Sequence, residues 1–246
     1  MAITDRVSAV ARGLATAAFI VAVPVFLIST NLRYVVNAES RYRDGFETYQ
    51  IPAVTGITLD QLMVGARGLI AYFNSDQEFV DVTVQRDGRP FALFNPREIL
   101  HLKDVKALIQ LMFRLNLATG VYGAFYVLWL GVWYRNRFGR PLAWALLGGG
   151  ALTIALLLAV AVAATSDFDS LFLQFHFLSF RNDLWQLDPR TDFLIAMYPE
   201  GFFYDATVFL ALASALEAGA IGALSAAYLV LGRRRRSVAR PLVARR

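Results

Sequence analysis

Residues 142–164 read LAWALLGGGALTIALLLAVAVAA, an apolar stretch without a single charged side chain. A hydrocarbon core about 30 Å thick is crossed by roughly 20 such residues in a helix. A lipid-facing barrel strand would alternate its faces, and this stretch does not. A helix also satisfies its own backbone polar groups, which lipid cannot do for it. Three further stretches have the same character, at 12–32, 108–133 and 204–231. Of 246 residues, 57% are hydrophobic and 17% charged, against about 25% charged in soluble domains. The expected fold is a membrane all-α bundle of four transmembrane helices.

Charge orients the four spans. Arg6 lies in the N-terminal segment 1–11 and Arg12 opens the first span. Arg135, Arg137 and Arg140 fill the turn 134–141, and the tail 232–246 holds Arg233, Arg234, Arg235, Arg236, Arg240, Arg245 and Arg246. With four helices these all fall on one side, and Lys and Arg beside helix ends favour the cytoplasm. Both termini are therefore expected in the cytoplasm, with 33–107 and 165–203 outside. The net charge of +5 and pI near 9.7 come from the tail. Such a tail suits anionic lipid headgroups and is not a nucleic-acid signal. The chain has no cysteine, which excludes disulfides and thiol catalysis. The first apolar block is long and lacks a small-x-small site near Thr30, so a retained helix is expected instead of a cleaved leader.

The segment 33–107 is expected to be a small extracytoplasmic α+β head. Thr58 and Gln61 have capping-box spacing, and Leu62, Leu69, Ile70 and Phe73 follow at helical spacing, which predicts a helix over 58–74. Phe79–Gln85 alternates as a half-buried strand does. Asp87-Gly88 supplies a tight turn, and Phe91, Leu93 and Phe94 form the second strand. An isolated hairpin is marginal in water. This one is expected to pack on the 58–74 helix, a strand after the first span, or the lipid surface. Asn95 as cap and Pro96 in the first turn begin a helix that runs unbroken into the second span. His101 thus has a firm mount, with Asp104 three residues on and close enough to orient its imidazole.

The segment 165–203 carries Phe172, Phe175, Phe177, Phe180 and Trp185, rings favoured at a membrane surface. Among them stands His176, with Asn182, Asp183 and Asp192 downstream. His101 and His176 are the chain's two histidines, and the topology puts both outside. Histidine is the commonest general acid–base group; a structural role is the competing reading for each. No ligand pair has zinc spacing, so no metal is expected. Neither a G-x-S-x-G elbow nor a phosphate-binding glycine loop is present. Gly148, Gly149 and Gly150 suit close helix packing. Glu217 lies near mid-depth of the fourth span, where ionisable groups are costly; a hydrogen bond between helices is favoured there over proton translocation. Asp205 and Arg114 fall near helix ends where they are expected to pair. Tyr72, Asn182 and Trp185 are candidates for positioning a lipid or peptide.

The run from Phe175-His176 through Phe180, Asn182-Asp183, Trp185, Leu187-Asp188-Pro189, Asp192, Pro199-Glu200, Phe202-Phe203 and Asp205 resembles the signature of the Lit-type lipoprotein intramolecular transacylases. His101-Leu-Lys-Asp104-Val105-Lys106 resembles that family's other motif, ahead of its second span. The resemblance implies an acyltransferase integral to the bacterial cytoplasmic (plasma) membrane. It implies transfer of the sn-2 acyl chain of a diacylglyceryl-modified lipoprotein to that protein's own N-terminal cysteine amine, giving a lyso-form lipoprotein. No cofactor and no second lipid donor are implied. Partners would be diacylglyceryl-modified bacterial lipoproteins and membrane lipids. The family's two histidines map onto His101 and His176, the expected catalytic residues, with Asp104, Tyr72, Asn182 and Trp185 as expected substrate contacts. Which histidine acts as base stays open. A non-enzymatic protein that binds lipid or lipoprotein through the Phe-rich loop is the rival. A transporter centred on Glu217 would need more polar groups at the midplane.

Overall fold

A computed structural model describes residues 3–238. Four long helices carry the apolar stretches: α1 (Ile3–Asn37), α5 (Pro96–Tyr134), α6 (Gly139–Ser166) and α9 (Glu200–Val238). Each is long and apolar enough to cross a membrane. Between α1 and α5 lie α2 (Glu39–Thr48), α3 (Ile51–Thr55), α4 (Leu59–Phe73), β1 (Thr83–Arg86) and β2 (Arg89–Ala92). Between α6 and α9 lie α7 (Phe168–Ser179) and α8 (Phe193–Met197). Helix α9 continues past Gly232, where the sequence suggested the basic tail begins, and the tail positions 239–246 lie outside the described residues.

The chain divides into two compact units. One takes in the chain up to Ser29, Leu115–Val160 and the chain from Ala211 on. Its core joins Phe19, Val23 and Leu27 of α1 to Tyr126 and Leu130 of α5, Ala145 of α6 and Ala218 of α9. Phe19 and Tyr126 stack with centroids 4.3 Å apart. The Tyr122 hydroxyl donates to the Ala15 carbonyl at 2.7 Å. A Cβ at Gly149 would stand 2.7 Å from Val23, so only glycine lets α6 approach α1 this closely. Leu117, Phe125, Leu128, Val132, Leu158 and Leu224 are all exposed. So much apolar surface on one unit calls for an apolar solvent.

The other unit comprises Thr30–Arg114 and Ala161–Leu210. Helix α4 presents Leu62, Met63, Ala66, Leu69, Tyr72 and Phe73 to its core. The hairpin pairs Thr83 with Ala92 and Arg86 with Arg89. Asp87 and Gly88 both take positive φ, 52° and 74°, as a two-residue type I′ turn requires. The hairpin packs on α4, where a Cβ at Gly68 would meet Val82 at 2.6 Å. The residues directly after α1 form no strand; the polar helix α2 stands there, with Tyr42 and Phe46 buried one turn apart.

Three sequence expectations change. Thr58 makes no side-chain cap, and Gln61, the other half of the expected box, is engaged elsewhere, its Oε1 accepting from the Gln85 N–H of β1 at 2.7 Å. Strand β1 begins at Thr83, since the stretch before it is held to α5 instead: Lys103 pairs with Glu78 at 2.6 Å and stands over the Phe79 ring. Asp205 accepts from the Tyr49 hydroxyl at 2.7 Å, and Arg114 forms no ion pair among those of the described residues.

Candidate active site

At 1.5 Å per residue, the 39 residues of α5 extend about 58 Å, nearly twice a hydrocarbon core. Its first three turns therefore run beyond the apolar span that starts near residue 108, and His101 stands on them. The helix is started firmly. Asn95 Oδ1 accepts from the Arg97 and Glu98 N–H groups at 2.9 and 3.1 Å. Glu98 Oε2 accepts from the Asn95 N–H at 2.6 Å. This is a complete capping box. Arg97, His101 and Asp104 then follow along one face at helical spacing.

His176 stands in the last turn of α7. Asp167 starts that helix by accepting from the Ser170 N–H at 3.0 Å, and Phe180 ends it in extended backbone, φ −122°. Away from His176, α7 leaves much apolar surface open, with Leu173, Phe175, Phe177 (64%) and Leu178 (90%) all exposed.

The two imidazoles come together with centroids 6.4 Å apart and planes 31° from parallel. Aromatic rings enclose them. Phe180 presents an edge to His101 at 5.1 Å, and Trp185 lies 5.0 Å from His176. Phe172 stands 4.4 Å from His176 on another side. His101 and His176 are 6% and 9% exposed. Burial, and then the nearby His176, push the His101 pKa down to about 4, with Arg97 adding and Asp104 opposing. Burial also lowers His176, against the Phe172 carbonyl that favours its charged form. Both rings are thus neutral at pH 7, each with one nitrogen that donates and one that accepts.

His176 Nδ1 lies 2.7 Å from the Phe172 carbonyl oxygen, which can only accept. The neutral ring therefore carries its proton on Nδ1 and turns a bare Nε2 outward. His101 Nδ1 is buried without a hydrogen-bond partner among the described residues.

Of the other expected site residues, Trp185 joins the histidine cluster. Asp104 does not bond to the His101 ring as expected; its Oδ2 accepts from the Asn182 side-chain amide at 2.8 Å. Tyr72 is placed apart, 2% exposed in the head core. Its hydroxyl donates to the Glu78 carbonyl and Lys106 stands over its ring, so no face of it is left for a substrate. Sequence reading passed over Arg97 and Glu98, and took Phe180 as a membrane-surface ring instead of a wall of the histidine pair. Arg97 donates to the Asp183 carbonyl. Glu98 has 0% exposure, and the Asn95-x-x-Glu98 cap spacing was the available signal for it. Among the described residues no three His, Cys, Asp or Glu side chains gather as a metal site would need.

The fold and this site define a polytopic membrane protein with a pair of buried, neutral imidazoles. The chain belongs to the family of the lipoprotein intramolecular transacylase Lit, matching it over residues 17–203, and so to a family of membrane acyltransferases. An in meso structure of the membrane integral lipoprotein intramolecular transacylase Lit from Bacillus cereus superposes with a TM-score of 0.75. That match is 24% identical and covers 90% of this chain and 97% of that one. A variant of the same protein with one histidine replaced by arginine gives a TM-score of 0.72 at 23% identity, covering 94% and 99%. These likenesses carry the fold. An uncharacterized protein of Aquifex aeolicus (strain VF5) is 29% identical over 123 residues, 50% of this chain and 52% of that protein. The chain thus spans about half the length of this curated relative.

Proposed function

We propose that this protein moves the sn-2 acyl chain of a diacylglyceryl-modified lipoprotein onto the α-amino group of the same molecule's N-terminal cysteine. The product is a lyso-form lipoprotein. The observation that carries this reading is the pairing of two buried imidazoles with ring centroids 6.4 Å apart, to which complementary tautomers can be assigned. His176 offers a bare Nε2. For His101, an orphaned buried N–H is rarer than an orphaned acceptor, so the proton belongs on Nε2 and the unpartnered Nδ1 keeps its lone pair. One ring is then a base and the other a donor.

His176 Nε2 takes a proton from the amine as its nitrogen attacks the ester carbonyl carbon. An α-amine has a pKa of about 7.7–8.0, so a useful fraction is already unprotonated near neutrality. The carbonyl oxygen gathers negative charge in the tetrahedral intermediate, and His101 Nε2–H donates to it. The ester C–O bond then breaks, and the proton held by His176 passes to the departing glycerol oxygen. An amide and a free glycerol hydroxyl result, and both rings regain their starting state. Donor and acceptor belong to one molecule, so positioning can supply much of the acceleration.

In this reading residues 12–32, 108–133, 142–164 and 204–231 span the bacterial cytoplasmic membrane. The segments 33–107 and 165–203 face outward and the termini face the cytoplasm. Tandem mass spectrometry of the N-terminal lipopeptide from a co-expressed lipoprotein tests the reaction. Fragmentation must locate the acyl chain, since the product is an isomer of the substrate. A chain on the cysteine nitrogen that is absent with His101→Ala and with His176→Ala supports the reading. A free amine beside folded wild-type protein favours lipid binding without catalysis.

A further inference from the structure

Glu98 is fully buried, and each of its oxygens accepts from a different helix start. Oε2 takes the Asn95 N–H at the start of α5, and Oε1 takes the Leu194 N–H in the first turn of α8, both at 2.6 Å. Asp192, the residue at the N-cap position of α8, makes no capping bond to its own helix. Its Oδ1 instead accepts from Asn95 Nδ2 at 2.8 Å and its Oδ2 from the Asp188 N–H at 2.7 Å. Glu98 caps α8 in its place. One carboxylate therefore registers the returning segment 180–197 against α5, one helical turn before His101. That segment follows directly from the α7 turn that carries His176, and it brings Trp185 to the His176 ring.

We propose that Glu98 is a positioning residue, setting the separation and tilt of the two imidazoles by tying the α7–α8 segment to the α5 turn beneath His101. The proposal deepens the transacylase reading and rests on it for its catalytic consequence. The residue must be a carboxylate. Both positions it faces are N–H donors, so a glutamine would turn its amide NH₂ against one of them. An aspartate, one methylene shorter, cannot span both.

The chain's two histidines make the test clean, because histidine-selective ¹⁵N labelling reports on only two rings. The full chain in detergent is compared with Glu98→Gln and Glu98→Asp by NMR, and by steady-state transacylation of a synthetic diacylated lipopeptide. Expected in Glu98→Gln are displaced imidazole resonances and a fall in kcat per folded molecule of about 10- to 100-fold. KM should stay within about threefold, since ground-state binding is left in place. Unmoved ring resonances would overturn the proposal, as would activity that falls only in proportion to folded protein. Full activity in Glu98→Asp would overturn the two-donor geometry. Where Glu98→Gln yields no folded protein, Asp192→Asn loosens the same segment; displaced rings are expected there, and unmoved rings overturn the proposal. Absence of transacylation by the wild type would refute the enzyme reading, while the ring resonances still test Glu98.

Discussion

The Asp104 carboxylate accepts a 2.8 Å hydrogen bond from the Asn182 side chain. The acid three residues past His101 thus holds the loop after α7, while still favouring a charged His101 at longer range. Asp104→Asn keeps an acceptor for Asn182 and removes the charge. It is expected to lower the His101 pKa further while activity stays within about threefold, because the hydrogen bond survives. An NMR titration of the His101 ring checks the direction; an upward shift would contradict it.

His101→Ala and His176→Ala are each expected to reduce transfer by about 10²- to 10⁴-fold, the usual range for a positioned acid or base. Both variants should elute as the wild type does in detergent. Wild-type rates in purified His176→Ala would end the two-imidazole mechanism.

Acid should weaken the fold through His101. Its folded pKa of about 4 lies below the ordinary 6.5, so between these values the unfolded chain binds more protons. Stability is then fully present above pH about 6.5 and is lost as pH falls toward about 4, by roughly 3 kcal/mol for a group this buried. Thermal unfolding across that window should lose less in His101→Ala than in wild type.

The rate profile should look different. Both rings are neutral from pH 7 up, so the rise in rate with pH is expected to follow the substrate amine, near 7.7–8.0, instead of a histidine. A substrate analogue with a less basic amine should shift the profile to lower pH. A profile fixed near 6.5 for both substrates would contradict this.

Tyr72→Phe removes the hydroxyl that donates to the Glu78 carbonyl. It is expected to cost about 0.5–1.5 kcal/mol of stability and leave kcat and KM per folded molecule unchanged. A changed KM would return Tyr72 to the substrate contacts.

The four long helices were legible because continuous hydrophobicity is a local signal, and the hairpin because Asp87-Gly88 fits few turns. The histidines stood out by scarcity. What escaped was long-range. Nothing near Glu98 announces a partner 96 residues away at Leu194. Gln61 looked like half of a cap because its bond to β1 is a tertiary contact. Tyr72 resembled a substrate contact because a local sequence does not state which face of α4 is inward. Helix α2 is mostly polar, and its burial rests on little more than Tyr42 and Phe46.

The open face of α7, with Leu178 90% exposed, has one last consequence. A helix like this comes to rest where hydrocarbon gives way to water. In the proposed reaction His176, on another side of this helix, would then stand at the boundary where a lipid's ester linkages lie. A transacylase built this way need not search for its target in depth. On the proposed reading, catalyst and ester are brought level by the solvent they share, and lateral diffusion is left to bring them together.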